Sequence, residues 1–169
     1  MTKNVTLRMP KLLDLDQLLS WENNLDNSLF SDNPIFYTNQ QIENFLTSDQ
    51  DIFSNGQIRF MIDFGGISVG CVDLFEYDIV NSRAGVGIFM DEKFRNMGFG
   101  TKALSSLKTI CSKDYFISNL YANILHTNKP SIKLFERAGF IKNGIKENWI
   151  RSENSMLDVW FFQCFLNVN

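Results

Sequence analysis

The sequence predicts an α/β domain: a mixed, mostly antiparallel sheet of about seven strands, flanked on both faces by about four helices. Three observations lead there. Residues 57–90 form three strand-like runs joined by turn chemistry, which makes an antiparallel meander. Helical periodicity brackets that meander on both sides. A helical run then separates the fourth strand-like segment from the fifth, so those two strands should be parallel, with a right-handed crossover.

The first strand is "NVTLRM", ended by Pro10. Asp14 is placed to cap a helix through "LDQLLSWEN", where Leu15, Leu18, Leu19 and Glu22 share one face, so the apolar stripe ends in a carboxylate. Turn chemistry follows at "SDNP". The run "TNQQIENFLTS" reads as a second helix with Thr38 at its N-cap. "QIRFMIDF" alternates, "GG" turns the chain, "ISVGCVDLFEY" runs back, and "DIVNS" connects to "RAGVGIFM". After "DEKFRNMGFG" a helix gathers Ala103, Leu104, Leu107, Ile110 and Cys111 on one face. "NLYANIL" is the fifth strand. "NKPSIKLFERAGF" is a helix with Asn128 or Thr127 near its cap, Pro130 in its first turn and Gly139 just past its end. "FIKNGIKENWI" and "SMLDVWFFQCFL" close the sheet through "RSEN".

The 169 residues favour one domain spanning 1–169. Sixteen phenylalanines and three tryptophans supply apolar volume for a core. A net charge of −3 offers no global field for nucleic acid, and fits a cationic small-molecule substrate better than an anionic one. Cys71, Cys111 and Cys164 are odd in number and widely spaced, which argues against a disulfide framework and a zinc site and fits a reducing cytoplasm. The N-terminal residues lack the apolar core of a signal peptide, and no run reaches the roughly 20 apolar residues that span a bilayer. One histidine, His126, rules out a His-based metal site, so no metal is expected.

"RNMGFG" sits just before the crossover helix, where ligands bind in open α/β sheets. Gly98 permits turn dihedrals closed to other residues, and Gly100 removes a side chain where another group approaches. Consecutive amides and a helix N-terminus form a concavity suited to a pyrophosphate, and Arg95 adds positive charge. No Gly-Lys-Ser/Thr follows, so this is not a Walker A loop, and the dinucleotide fingerprint is absent. Alone, the pattern also fits an ordinary glycine loop.

Two patterns together remove that ambiguity. Arg95, Gly98 and Gly100 form Gln/Arg-x-x-Gly-x-Gly/Ala, and 33 residues past Arg95 comes Asn128, opening Asn-x-x-Ser-x-x-Leu-Phe-x-x-x-Gly-Phe. With the element order around them, these resemble the GNAT family of acyl-CoA-dependent N-acetyltransferases. The resemblance implies acetyl-CoA as co-substrate and transfer of its acetyl group to a primary amine. "VDLFEYDIVNSRAGVGI" and "LLSWENN" look like segments of the spermidine N-acetyltransferase branch, which implies a small polyamine-like amine as acceptor. Relatives also imply a homo-oligomer.

The resemblance implies that the pantetheine arm runs along Ile88, Phe89 and Met90, and that the pyrophosphate meets Arg95 and the amides of Asn96, Met97, Gly98, Phe99, Gly100 and Thr101. Gly85 and Gly87 either form a bulge that frees an amide for the thioester oxygen or are packing glycines. Asp73 is the polar exception in a row with Ile67, Val69, Cys71 and Phe75, which makes it a candidate for binding the amine or acting as base through a water. Glu76 and Glu22 are further amine-binding candidates, with Glu76 a second catalytic candidate; the alternative for each is a solvated or paired charge. Many family members place a tyrosine where this chain has Phe135, which cannot protonate the departing thiolate. Ser131 is the candidate substitute and a cofactor contact, or only a helix-starting residue. Asn128 contacts the cofactor or caps the helix. Tyr37, Tyr77 and His126 are further polar groups that the fold could bring to the cleft. A protein N-terminal acetyltransferase and a catalytically weak acyl-CoA-binding module are the competing functions.

Overall fold

The structure is a computed structural model describing residues 4–24, 36–152 and 155–167. The expected "SDNP" turn and residues 153 and 154 of the last connection lie outside the described residues. In chain order the elements are β1 (Val5–Arg8), α1 (Leu15–Glu22), α2 (Asn39–Thr47), α3 (Ile52–Asn55), β2 (Ile58–Phe64), β3 (Ser68–Asp78) and β4 (Arg83–Met90). They continue with α4 (Phe99–Asp114), β5 (Asn119–Leu125), α5 (Lys129–Arg137), β6 (Ile141–Arg151) and β7 (Met156–Phe165). Short 3₁₀ turns precede α1 at Leu12–Asp14 and α4 at Glu92–Phe94.

The described strands form one seven-stranded sheet in the order β1-β2-β3-β4-β5-β7-β6. Only β4 and β5 run parallel, joined through α4. On one face α4 buries Ala103, Leu104, Leu107 and Cys111, and α5 buries Ile132 and Phe135, in one cluster with Val72, Leu74, Leu120 and Phe162 of the sheet. The other face, over β2 to β4, is covered by Leu18 and Trp21 of α1 and Ile42 of α2, packed on Met61 and Cys71 with half-buried Phe89. Ile110, expected on the buried stripe of α4, is only half-buried.

One local expectation is corrected, and one short helix is added. Asp14 does not cap α1: its carboxylate turns back to the Lys11 amide at 2.8 Å and to both Arg8 Nη atoms at 2.8 and 2.7 Å. The helix count rises to five among the described residues, because α3 is a single turn. Asp51 caps it by accepting from the Phe53 and Ser54 amides, and Gly56 ends it in the left-handed region at φ 66°. A four-residue helix is too short to carry a periodic signal. Thr38 caps α2 as expected, its hydroxyl accepting from the Gln41 amide.

Candidate active site

β4 and β5 pair at three positions only, Arg83 with Asn119, Ala84 with Leu120 and Gly85 with Tyr121. Beyond that point β4 stays with β3 as far as Met90, and β5 stays with β7 as far as Leu125. The two strands therefore part in the middle of the sheet. Residues 86–90 and 122–125 line the opening, a cavity of about 1130 Å³ that extends to the N-termini of α4 and α5 on one side and to α1 on the other.

The turn before α4 is built by two left-handed residues, Asn96 at φ 62° and Gly98 at φ 79°. A Cβ at Gly98 would meet nothing within 4 Å, so its dihedral, not space, demands glycine. Gly98 provides no side-chain cap, so the first-turn amides of the 16-residue α4 face the cavity end with helix-dipole charge behind them. Arg95 Nε donates to the Met90 carbonyl at 3.1 Å, tying the turn to the end of β4. Gly100 serves packing, since a Cβ there would sit 3.1 Å from both Leu134 methyl carbons. Arg95, Lys133 and Arg137 put positive charge along this end of the cavity.

Ile88, Phe89, Met90, Arg95, Asn96, Gly98, Phe99, Gly100, Thr101, Asn128 and Ser131 all line the cavity. Met97 does not: its side chain is exposed, and only its backbone belongs to the turn. Asn128 caps α5, its Oδ1 accepting from the Ser131 amide at 3.2 Å, so the cap holds Ser131 at the cavity wall. Phe135 is 2% exposed and meets Phe140 edge to face at 4.9 Å. Gly85 and Gly87 sit in unbroken register with β3, so the bulge considered for them does not form. Their bare backbones instead lie beneath the ring of Phe75, 2.3 Å and 3.8 Å from where each Cβ would be.

At the α1 end, Asp73 and Glu22 line the cavity together with Trp21, Tyr37 and Arg59. Arg59 holds both carboxylates. Its Nε and Nη2 donate to Asp73 Oδ1 and Oδ2 at 2.7 and 2.8 Å, and its Nη1 donates to Glu22 Oε1 at 2.5 Å. Phe45 lies 5.5 Å from the guanidinium. Burial works against the charge of Arg59, yet Asp73 and Glu22 outweigh it and hold its pKa well above the ordinary value. Burial also pushes the neighbouring Cys71 thiol up to about 12, so that sulfur stays protonated. Trp21 Nε1 donates to Asp91 at 3.0 Å and its ring packs 5.2 Å from Phe89. Asn23 fixes the chain at Tyr37, donating to its carbonyl and accepting from its amide.

Glu76 is not brought to this end. The β3–β4 register slips between Phe75 and Asp78, Glu76 takes φ 51°, and its carboxylate accepts from the Tyr121 hydroxyl outside the cavity lining. Burial, then the Glu76 hydrogen bond and charge, raise the Tyr121 phenol above its usual range. Tyr77 donates to the Tyr115 carbonyl, and His126 Nδ1 lies 3.2 Å from the Asp158 carbonyl; neither lines the cavity. The residue that the sequence reading missed is Arg59. No cluster of three or more His, Cys, Asp or Glu that could hold a metal occurs among the described residues.

A family model described as an acetyltransferase (GNAT) domain matches residues 4–141. The chain belongs to the GNAT acetyltransferase family. This acetyltransferase is 24% identical over 164 residues, 95% of its length and 92% of the relative's, to the uncharacterized N-acetyltransferase p20 of Bacillus licheniformis. Its fold matches the spermidine N-acetyltransferase of Vibrio cholerae, solved with CoA and spermine, at TM-score 0.86 and 18% identity over 97% of this chain and 96% of that one. It matches equally the RimL ribosomal L7/L12 alpha-N-protein acetyltransferase solved with coenzyme A, at TM-score 0.86 and 16% identity over 99% and 97% of the two chains. Acetyl-CoA is the co-substrate of this acetyltransferase. The opening between β4 and β5, with an uncapped helix N-terminus at one end, is a fitting receptacle for an extended, phosphate-bearing molecule.

Proposed function

We propose that this acetyltransferase transfers the acetyl group of acetyl-CoA to the primary amine of a small molecule, of the polyamine-like class that the sequence suggests. One observation carries the reading: the cavity is cationic at its α4–α5 end and bears Glu22 and Asp73 at its α1 end. Phosphates and an ammonium group are thereby assigned to opposite ends.

Acetyl-CoA supplies the acetyl group as an activated thioester. The amides of Asn96 to Thr101, with Arg95, hold the phosphates, and the Ile88–Met90 edge of β4 holds the arm. Asp73 and Glu22 receive the ammonium form of the acceptor. Asp73 also takes the amine proton through a water, since Arg59 occupies both of its oxygens directly. The Ser131 hydroxyl donates a hydrogen bond to the departing thiolate and relays a solvent proton to it, so the serine ends unchanged; a reference thiol pKa near 8.5 keeps the thiolate a weak base. Ser131 also supports a second reading, an acceptor that is a protein N-terminus, because a wall serine stands where Phe135 offers no hydroxyl. The reading extends to a cytoplasmic protein with three buried free cysteines. It extends also to a homo-oligomer that covers the exposed Ile141, Ile145 and Trp149 of β6.

The test is thiol release from acetyl-CoA across polyamines, aminoglycosides, amino acids and N-terminal peptides. Release with small amines is expected. Release with peptides alone selects the second reading, and tight acetyl-CoA binding without release on any amine sinks both.

A further inference from the structure

One transverse row of residues crosses the sheet at the acceptor end. Arg59 of β2 stands opposite Asp73 of β3, and Asp73 stands opposite Gly87 of β4. Continued two residues past Gly85 and Tyr121, the β4–β5 register would bring Asn123 beside Gly87, but the strands have parted there. Arg59, Asp73, Gly87 and Asn123 all line the cavity. With no side chain at Gly87, nothing on β4 stands between Asp73 and the opening.

The charges in this row are not those of an open anionic pocket. Glu22 and Asp73 are the only carboxylates lining the cavity among the described residues, and Arg59 bonds both. Two negative charges and one positive charge leave a net charge of −1. The other charged lining residues, Arg95, Lys133 and Arg137, are cationic and sit toward α4 and α5. An acceptor's first ammonium group meets the net negative charge. A second or third ammonium group, reaching further into the cavity, meets no lining carboxylate.

We infer that Arg59 is the specificity-determining residue of the acceptor end: by neutralising one of the two carboxylates, it limits that end to acceptors bearing a single ammonium group. The inference rests on the small-amine reading and amends its acceptor class, from polyamine-like amines to small amines bearing one ammonium group. Removing the guanidinium raises the net charge to −2 and favours polycations. Removing Glu22 lowers it to zero and disfavours them. Removing both restores −1.

The experiment uses n-hexylamine, 1,6-diaminohexane and spermidine, measured for thiol release and, with CoA present, for binding by calorimetry. The readout is the spermidine-to-hexylamine ratio of kcat/KM, or of affinity. It should stand below one in the native protein, rise on the order of tenfold in Arg59→Gln, fall in Glu22→Gln, and return to the native value in the double variant. Arg59→Lys should keep the native ratio, which separates charge from shape. Arg59→Gln leaves two half-buried carboxylates facing each other; if it does not fold, the opposite shift in Glu22→Gln decides. A native preference for spermidine, or ratios that ignore the charge changes, overturns the inference and leaves the small-amine reading standing. Thiol release on no amine sinks that reading, while the calorimetric ratios still judge Arg59. Amine binding by neither the native protein nor any variant overturns the inference as well.

Discussion

Ser131 and Gly98 carry the sharpest consequences at the scale of single residues. The Ser131 amide is held by Asn128, so removing only its hydroxyl leaves the α5 cap intact. Ser131→Ala should lower kcat about tenfold or more while leaving acetyl-CoA affinity within about twofold, measured by steady-state thiol release and calorimetry. A native rate would return Ser131 to helix starting. Gly98 and Gly100 differ in kind, although the sequence motif treats them as a pair. Gly98→Ala meets no neighbour but must hold φ 79°, at a cost of about 1 kcal/mol. It should weaken acetyl-CoA binding by about tenfold in a chain that still folds. Gly100→Val drives a branched side chain into Leu134, so its thermal midpoint should fall further than that of Gly98→Ala.

Among elements, β1 and the turn before α1 are joined by the Asp14 network. Burial opposes the charge of Asp14, but hydrogen bonds from Arg8 and the Lys11 amide outweigh it and hold its pKa below the usual carboxylate range. A carboxylate with a depressed folded pKa contributes stability that is fully present above its unfolded pKa of about 3.9 and is lost as pH falls through the folded value. Urea midpoints of the native chain should therefore drop more steeply below about pH 4 than those of Asp14→Asn, which should also be about 2 kcal/mol less stable at neutral pH. Equal slopes would remove Asp14 from the acid response. The order of strands and long helices was legible in the sequence because period-two and period-3.6 patterns extend over whole elements. The Arg59–Asp73 pairing was not. The two-glycine turn joins Phe64 to Ile67, and regular pairing from there would set Arg59 opposite Val72. A register shift between Ile62 and Asp63 moves the pairing by one residue and puts Arg59 opposite Asp73, on the same face. A similar slip in β3 accompanies the Glu76–Tyr121 hydrogen bond, which period-two alternation did not predict. The turn at Asn96 and Gly98 was legible because its dihedral requirements are local. The Glu22–Arg59–Asp73 cluster depends on cross-strand register, which no short motif encodes.

For the molecule as a whole, the sheet is the device that makes the site. One parallel pair lies within an otherwise antiparallel sheet, and its strands separate after three residue pairs while each keeps its antiparallel partner on the other side. The opening exposes the edge of β4 to a ligand, puts an uncapped helix N-terminus at one end, and sets Glu22, Arg59 and Asp73 at the other. The site's charge is therefore polarised across the cavity, although the chain's net charge is only −3. Amide hydrogen exchange with and without CoA tests this arrangement most directly. CoA should slow exchange at residues 86–90 of β4 and at the turn and first helical residues 96–101, with little change in β1 and β6. Protection confined to other segments, or none at saturating CoA, would contradict the placement of the cofactor between β4 and β5.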